Sequence, residues 1–170
     1  MKKSVVSLVL SAALSSSVVA QDKQPLTYPA DYRNTFVNYL SLDRTQNPDQ
    51  TIRLFANDIA MKGPGPDGKL PFGSVLVAEV YKAKKSADGK IVTSALGRRI
   101  RGKFALVAVM QREKGFGEGQ PAGIRNGNWE FAAFKPDGSA AGKDLNSCRA
   151  CHAPLTTLNH VFSYDHLKVD

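Results

Sequence analysis

The sequence predicts a mainly β domain, an antiparallel β-sheet with short helices and a C-terminal helix. Three observations carry this. Segments rich in Val, Ile and aromatic residues recur at 74–84, 90–95, 103–112 and 128–135, separated by stretches rich in Gly and Pro. One of them is apolar on both faces, with Leu106, Ala108 and Met110 on one side and Ala105, Val107 and Val109 on the other, so something must cover each side. The chain of 170 residues, 42% apolar and 22% charged, has the composition of one ordinary globular domain and leaves no room for two large ones. Its 23 basic and 15 acidic residues are too mixed for a disordered or collagen-like chain.

The first element is a short helix beginning within 29–36, for which Asp31 is a plausible cap. Residues 37–45 and 51–57 roughly alternate apolar and polar around Asn47-Pro48-Asp49-Gln50, which reads as two strands joined by a turn. A helix over 48–61 with Pro48 at its first position competes with that reading. The run Gly63-Pro64-Gly65-Pro66-Asp67-Gly68-Lys69-Leu70-Pro71 cannot be a regular element and is expected as a loop. Strands are then expected at 74–84, 90–95 and 103–112, the first pair turned by Ala87-Asp88-Gly89. A Gly-rich stretch, 115–127, leads to a last strand at 128–135, closed by Pro136-Asp137-Gly138. The tail at 144–152 reads as helical, with Pro154 stopping it. No internal repeat or domain boundary is visible.

The chain starts with Met1-Lys2-Lys3, continues through an apolar, Ser-bearing run, and reaches small residues at Val18 and Ala20. A basic head, a short apolar stretch and small residues near the end are the pattern of a secretory signal peptide. Residues 1–20 are therefore expected to be removed, leaving one domain over 21–170 and taking the formal charge from +8 to +6. The run is too short and too Ser-rich to serve well as a spanning anchor. The expected destination is the bacterial periplasm, with no membrane attachment after cleavage. Thiols there do not stay free unless something occupies them.

Two cysteines exist to be occupied, in Cys148-Arg149-Ala150-Cys151-His152. CxxCH is the attachment signature of a c-type haem. On a helix, positions i, i+3 and i+4 share a face. Two thiols can then add to the two haem vinyl groups while the adjacent imidazole reaches the iron. Cys148 and Cys151 are accordingly read as the covalent haem c attachment, one haem per chain, and His152 as the axial iron ligand. A disulfide between near neighbours, a thioredoxin-like pair and half a zinc site are the competing readings. A zinc site would need His160 and His166 at spacings unlike closed structural sites. A thioredoxin pair would follow an early strand of a parallel sheet.

With this motif at the far C-terminal end of an antiparallel domain, the chain resembles the cytochrome P-460 family, which includes the beta-type cytochromes c-prime. The resemblance rests on Tyr28-Pro29-Ala30-Asp31-Tyr32-Arg33, on Leu70-Pro71-Phe72-Gly73-Ser74-Val75-Leu76-Val77 with Glu79 and Tyr81, on Asn126-Gly127-Asn128-Trp129-Glu130-Phe131, and on residues 148–152 followed by Val161-Phe162. It implies a five-coordinate iron with His152 proximal and an open distal side for nitric oxide, carbon monoxide or hydroxylamine. The function expected is binding or detoxification of nitric oxide or related nitrogen oxides. Two alternatives remain: an oxidoreductase that oxidises hydroxylamine on a lysine-cross-linked haem, and a simple electron carrier. Family members that oxidise hydroxylamine carry that lysine in the stretch leading into the strand that begins here near Gly73. Here that stretch is the Pro/Gly loop and no lysine falls in register, Lys62 and Lys69 being nearest.

Glu130 is the candidate catalytic acid, able to take a proton from a bound nitrogen ligand if it faces the distal pocket, and an edge carboxylate otherwise. Glu79 poses the same choice. Phe72 is a candidate for the distal pocket, with Phe55 and Phe116 as further candidates for an apolar lid. Met110 is the best non-histidine sixth ligand, although Met among Leu106 and Ala108 is usually core filling. Arg98, Arg99, Arg101 and Lys103 form a basic run that reads as a solvated face or guarded strand edge, or as a docking patch for an acidic redox partner. No nucleic-acid motif is present, Gly115 to Gly119 lacks the strand-to-helix grammar of a phosphate loop, and a homodimer is compatible with all of this.

Overall fold

In a computed structural model that describes residues 25–168, five strands form one antiparallel sheet in the order β1-β2-β3-β4-β5, each hydrogen-bonded to its neighbours in sequence. The strands are β1 (Val37–Asp43), β2 (Gln50–Ala56), β3 (Val75–Ala83), β4 (Arg101–Arg112) and β5 (Trp129–Phe134). The expected leader, residues 1–20, lies outside the described residues. Among the described residues no helix is long and apolar enough to cross a membrane.

The turn at 44–49 joins β1 to β2 as a hairpin, so the helix over 48–61 does not form. Its place is taken by β2 and one 3-10 turn, Ala60–Lys62. The segment 90–95 is not a strand of the sheet. It makes only the isolated bridges Lys85↔Ile91 and Thr93↔Arg99, in an arm that leaves the sheet after β3 and returns as β4. Its Val and Ile signal is overridden because two tight turns, closed by Gly89 N to Ser86 O (3.0 Å) and Gly97 N to Ser94 O (2.9 Å), leave too few residues between them to build a ladder.

Register divides the sheet into two faces. On one face Leu54, Ala78 and Ala108 form a row across three strands, flanked by Ile52–Val80–Leu106 on one side and Leu76–Met110–Phe131 on the other. On the opposite face Phe55, Val77, Val109 and Ala132 align, and below them Arg53, Glu79, Val107 and Phe134. This second face is closed by α1 (Tyr32–Thr35), whose Tyr32 is buried with its ring edge-on to Phe55 at 5.2 Å. Asp31 precedes α1 but caps no backbone amide with its side chain, bonding Asn34 Nδ2 instead.

The first face is covered differently at its two ends. Where β4 ends and β5 begins, Leu70, Trp129, Val161, Tyr164 and Leu167 make a buried cluster with Phe131 and Leu76. Asn159 Oδ1 ties the two covering segments by accepting from Leu70 N (3.0 Å). The middle of the face, with alanines at 78 and 108, is left open beneath the C-terminal segment. β4 is therefore packed against side chains on one face and faces a cavity on the other.

Candidate functional site

The cavity on the first face has a volume of about 610 Å³, within the range of small-molecule and cofactor sites. Its floor is the aliphatic sheet face. Its cover comes from α2 (Leu145–His152) and from residues 161–166. Helix α2 starts where Asp144 accepts from Asn146 N (2.9 Å), a cap that contributes about 1 kcal/mol, and ends at Ala153, before Pro154. Eight residues give two turns, enough to place Cys148, Cys151 and His152 side by side, and all three line the cavity.

His152 is held in one orientation. Its Nδ1 donates to the backbone oxygen of His160 (2.8 Å), which leaves Nε2 as the nitrogen with a free lone pair. Phe131 and Phe162 meet the ring edge-on at 5.1 and 5.0 Å. Burial pushes the imidazole pKa down, favouring the neutral form that can ligate a metal. The carbonyl of His160 is aimed by a rare backbone turn: Asn159 and His160 have φ of 48° and 62°, a left-handed conformation that costs about 1 kcal/mol per residue and persists only where the surroundings impose it. Those surroundings are the Asn159 bond to Leu70 N (3.0 Å) and the His160 N bond to Leu155 O (2.7 Å).

No disulfide joins Cys148 and Cys151, and burial pushes the Cys148 thiol pKa up. Among the described residues no group of three or more His, Cys, Asp and Glu side chains is placed to hold a bare metal ion. The donor set is two thiols and one oriented imidazole on the wall of a mainly apolar cavity. That chemistry fits a haem, which needs two thioether anchors, one axial nitrogen and an apolar bed for its ring.

The rim is polar. Tyr39 and Ser163 share a hydrogen bond (2.7 Å) that joins β1 to the C-terminal segment, and burial pushes the Tyr39 pKa up to about 12, so its hydroxyl keeps its proton. Among the described lining residues Arg44 is the single lysine or arginine, its Nη1 donating to Gln50 Oε1 (2.7 Å). A cation at the rim is where the carboxylates of a haem would find a partner.

Three expectations are corrected here. Glu130 does not face the cavity: strand alternation sends Phe131 there instead. The Glu130 carboxylate is taken up by Arg149 Nη2 (2.6 Å) and Gln120 Nε2 (2.8 Å). Phe72 is 47% exposed and covers the Arg112 guanidinium at 4.2 Å, because the turn into Gly73 (φ 84°) carries its ring outward, away from the cavity. Glu79 is buried on the opposite face among Tyr32, Arg33, Arg53 and Tyr81. Phe55 and Phe116 also pack in that second cluster. The aromatic residues that line the cavity are Tyr39, Phe131 and Phe162. Alternation from Trp129 would have found Phe131, whereas Arg44 and Tyr39 carry no signal short of the β1–β2 register. Met110 does line the cavity, between Leu76 and Phe131 in the sheet register. Lys62 and Lys69 are exposed and do not line it.

The chain matches the family described as Cytochrome P460 over residues 29–163, which span the sheet, the cavity and α2. No curated protein matches it.

Proposed function

The chain belongs to the cytochrome P460 family and is a haem-binding cytochrome; from that premise we propose that it is a periplasmic mono-haem c-type cytochrome that binds or detoxifies nitric oxide or a related nitrogen oxide. The observation that carries this reading is the placement of Cys148, Cys151 and His152 together on the wall of one apolar cavity. Each thiol would add its S–H across one vinyl double bond, forming a C–S and a C–H bond with no net oxidation. His152 would supply the axial nitrogen through Nε2, its ring already fixed by the His160 carbonyl. Bound there, a five-coordinate haem iron would supply one open coordination position for a small ligand.

The rest of the cavity supports binding over proton-coupled turnover. Its floor is aliphatic, which excludes water and favours uncharged diatomic molecules. Among the described residues that line it there is no carboxylate side chain and no lysine. Hydroxylamine oxidation with a cross-linked lysine is therefore the less supported reading. Met110 on the lining keeps a specific alternative, a six-coordinate electron carrier. The absorption spectrum of the purified holoprotein tests these together. A five-coordinate high-spin spectrum that changes when nitric oxide is added to the ferrous protein is expected. A reduced band near 460 nm would instead indicate the cross-linked enzyme, and a six-coordinate low-spin spectrum the electron carrier, with Met110 as its sixth ligand if Met110→Leu abolishes that spectrum.

A further inference from the structure

Residues 82–103, the arm between β3 and β4 with its strand ends, hold eight basic residues against one acidic, while the other 148 residues hold 15 basic and 14 acidic. Almost the whole net charge of +8 therefore sits on one end of the sheet. Such an asymmetry creates a directed field, because charges of one sign within a Debye length of about 8–10 Å add.

This end of the sheet adjoins the cavity. Arg99 Nη1 donates to the backbone oxygens of Arg44 and Gln50 (3.0 Å each), pinning the arm to the β1–β2 turn, and Arg44 is itself on the cavity wall. Strand alternation puts Lys82 on the face of Ala78 and Val80, just beyond the cavity, with Gln50 opposite it on β2. A shallow groove under Arg98–Arg101 shares Leu42 and Ile52 with the cavity, so one layer of side chains separates the two. Part of the charge is internally used: Arg98 pairs with Asp43 and Lys85 with Asp49, both at 3.3 Å, and Lys90 with Asp88 at 2.8 Å. Lys82, Lys84 and Lys103 are exposed and form no ion pair among the described residues.

We infer that this basic end is the docking surface for an acidic electron-transfer protein, which exchanges one electron with the iron through the Leu42/Ile52 side of the cavity. The inference rests on the haem reading above. Unpaired lysines around a site only one side-chain layer from the cofactor cavity give charge complementarity to an acidic partner where electron transfer needs close approach. A surface serving solubility alone would not need its charge concentrated there.

The experiment uses the ferrous holoprotein mixed in a stopped-flow with oxidised plastocyanin, a blue-copper protein with an acidic face. One electron passes from Fe(II) to Cu(II), giving Fe(III) and Cu(I), with no proton or atom transferred. The variant Lys82→Glu/Lys103→Glu is compared with Lys69→Glu/Lys114→Glu, which changes net charge equally at the opposite end of the sheet. At low ionic strength the first should slow the reaction about tenfold or more and the second by less than about twofold. The wild-type rate should fall as salt is added. Equal slowing in both variants would overturn the proposal. So would an equal effect of the first variant on oxidation by ferricyanide, since a small anion senses the field without docking. Purified protein without haem absorbance would sink the haem reading itself, and the docking proposal with it, before any rate is read.

Discussion

Arg149, in the middle of the CxxCH motif, is clamped to Glu130 on β5: Nη2 and Nε lie 2.6 and 3.2 Å from the same carboxylate oxygen. The two side chains are 15% and 12% exposed, so water screens the pair little. The residue between the cysteines thus docks the helix to the sheet edge, and Arg149 O, accepting from Asn126 Nδ2 (3.0 Å), adds a second tie. Glu130→Leu leaves a largely buried guanidinium without its anion, which should lower the unfolding free energy by about 2–4 kcal/mol. Nitric oxide binding by the ferrous protein should survive, because the carboxylate does not reach the cavity. Urea denaturation of Glu130→Leu, Arg149→Met and the double variant checks this. Additive losses would mean the pair is not coupled.

On the other face, Glu79 links stability to pH on the acid side. Burial alone would push its pKa up, but hydrogen bonds from Tyr32, Arg33 and Tyr81 outweigh it and hold the pKa below the ordinary 4.5. A carboxylate whose folded pKa is depressed stabilises the protein above its unfolded pKa and loses that contribution as pH falls through the folded one. Stability of the wild type should therefore be flat above about pH 5.5 and decline from near pH 4.5 downward. Glu79→Gln should be less stable at pH 7 and should flatten that decline. An unchanged acid slope in denaturant titrations across pH 2.5–7 would show that another group is responsible.

The attachment chemistry has a direct test. Cys148→Ala with Cys151→Ala should abolish haem that survives denaturation, as both sulfurs are needed for the thioethers. His152→Ala should keep haem bound through the thiols but alter the spectrum and nitric oxide affinity together. Haem staining of a denaturing gel and an optical spectrum read the two outcomes. Retained stain in the first variant contradicts the attachment. A wild-type spectrum in the second moves the axial role to His160 or His166, the other imidazoles near the cavity.

Much of this was legible because it is local. The cysteine and histidine positions follow from a five-residue motif, and β1, β2, β3, β4 and β5 from alternation and turn residues. What alternation could not settle is which face of each strand meets the cavity. Alternation puts Glu130, Ala132 and Phe134 on one face of β5, and the register of β5 against β4 makes that the face away from the cavity. The arm at 84–100 failed for a related reason: Val92 and Ile91 have strand propensity, but its turns are too closely spaced for a ladder. Phe72 looked like a lid because it is large and apolar. The turn into Gly73 carries that ring outward instead, over the buried Arg112 guanidinium, whose Nη1 donates to Leu70 O.

The alanines at 78 and 108 are paired neighbours at the centre of the cavity floor, between the larger Leu76–Met110 and Val80–Leu106 pairs. A floor of larger side chains would close much of the space, so these two small residues are what keep it open. Ala108→Leu adds three carbons into the cavity without touching the packed opposite face, where Val107 and Val109 are buried. The apoprotein should lose little stability, or gain some, because filling a void restores dispersion contacts and buries apolar area at roughly 25 cal/mol per Å². Haem incorporation should fall severely, because a flat ring and the new isobutyl group compete for the same volume. Co-expression with the haem-attachment machinery, followed by the ratio of haem absorbance to protein, measures the loss, and thermal unfolding of the apoprotein measures stability. Full haem loading in Ala108→Leu would mean that the cofactor does not lie against the centre of this sheet face.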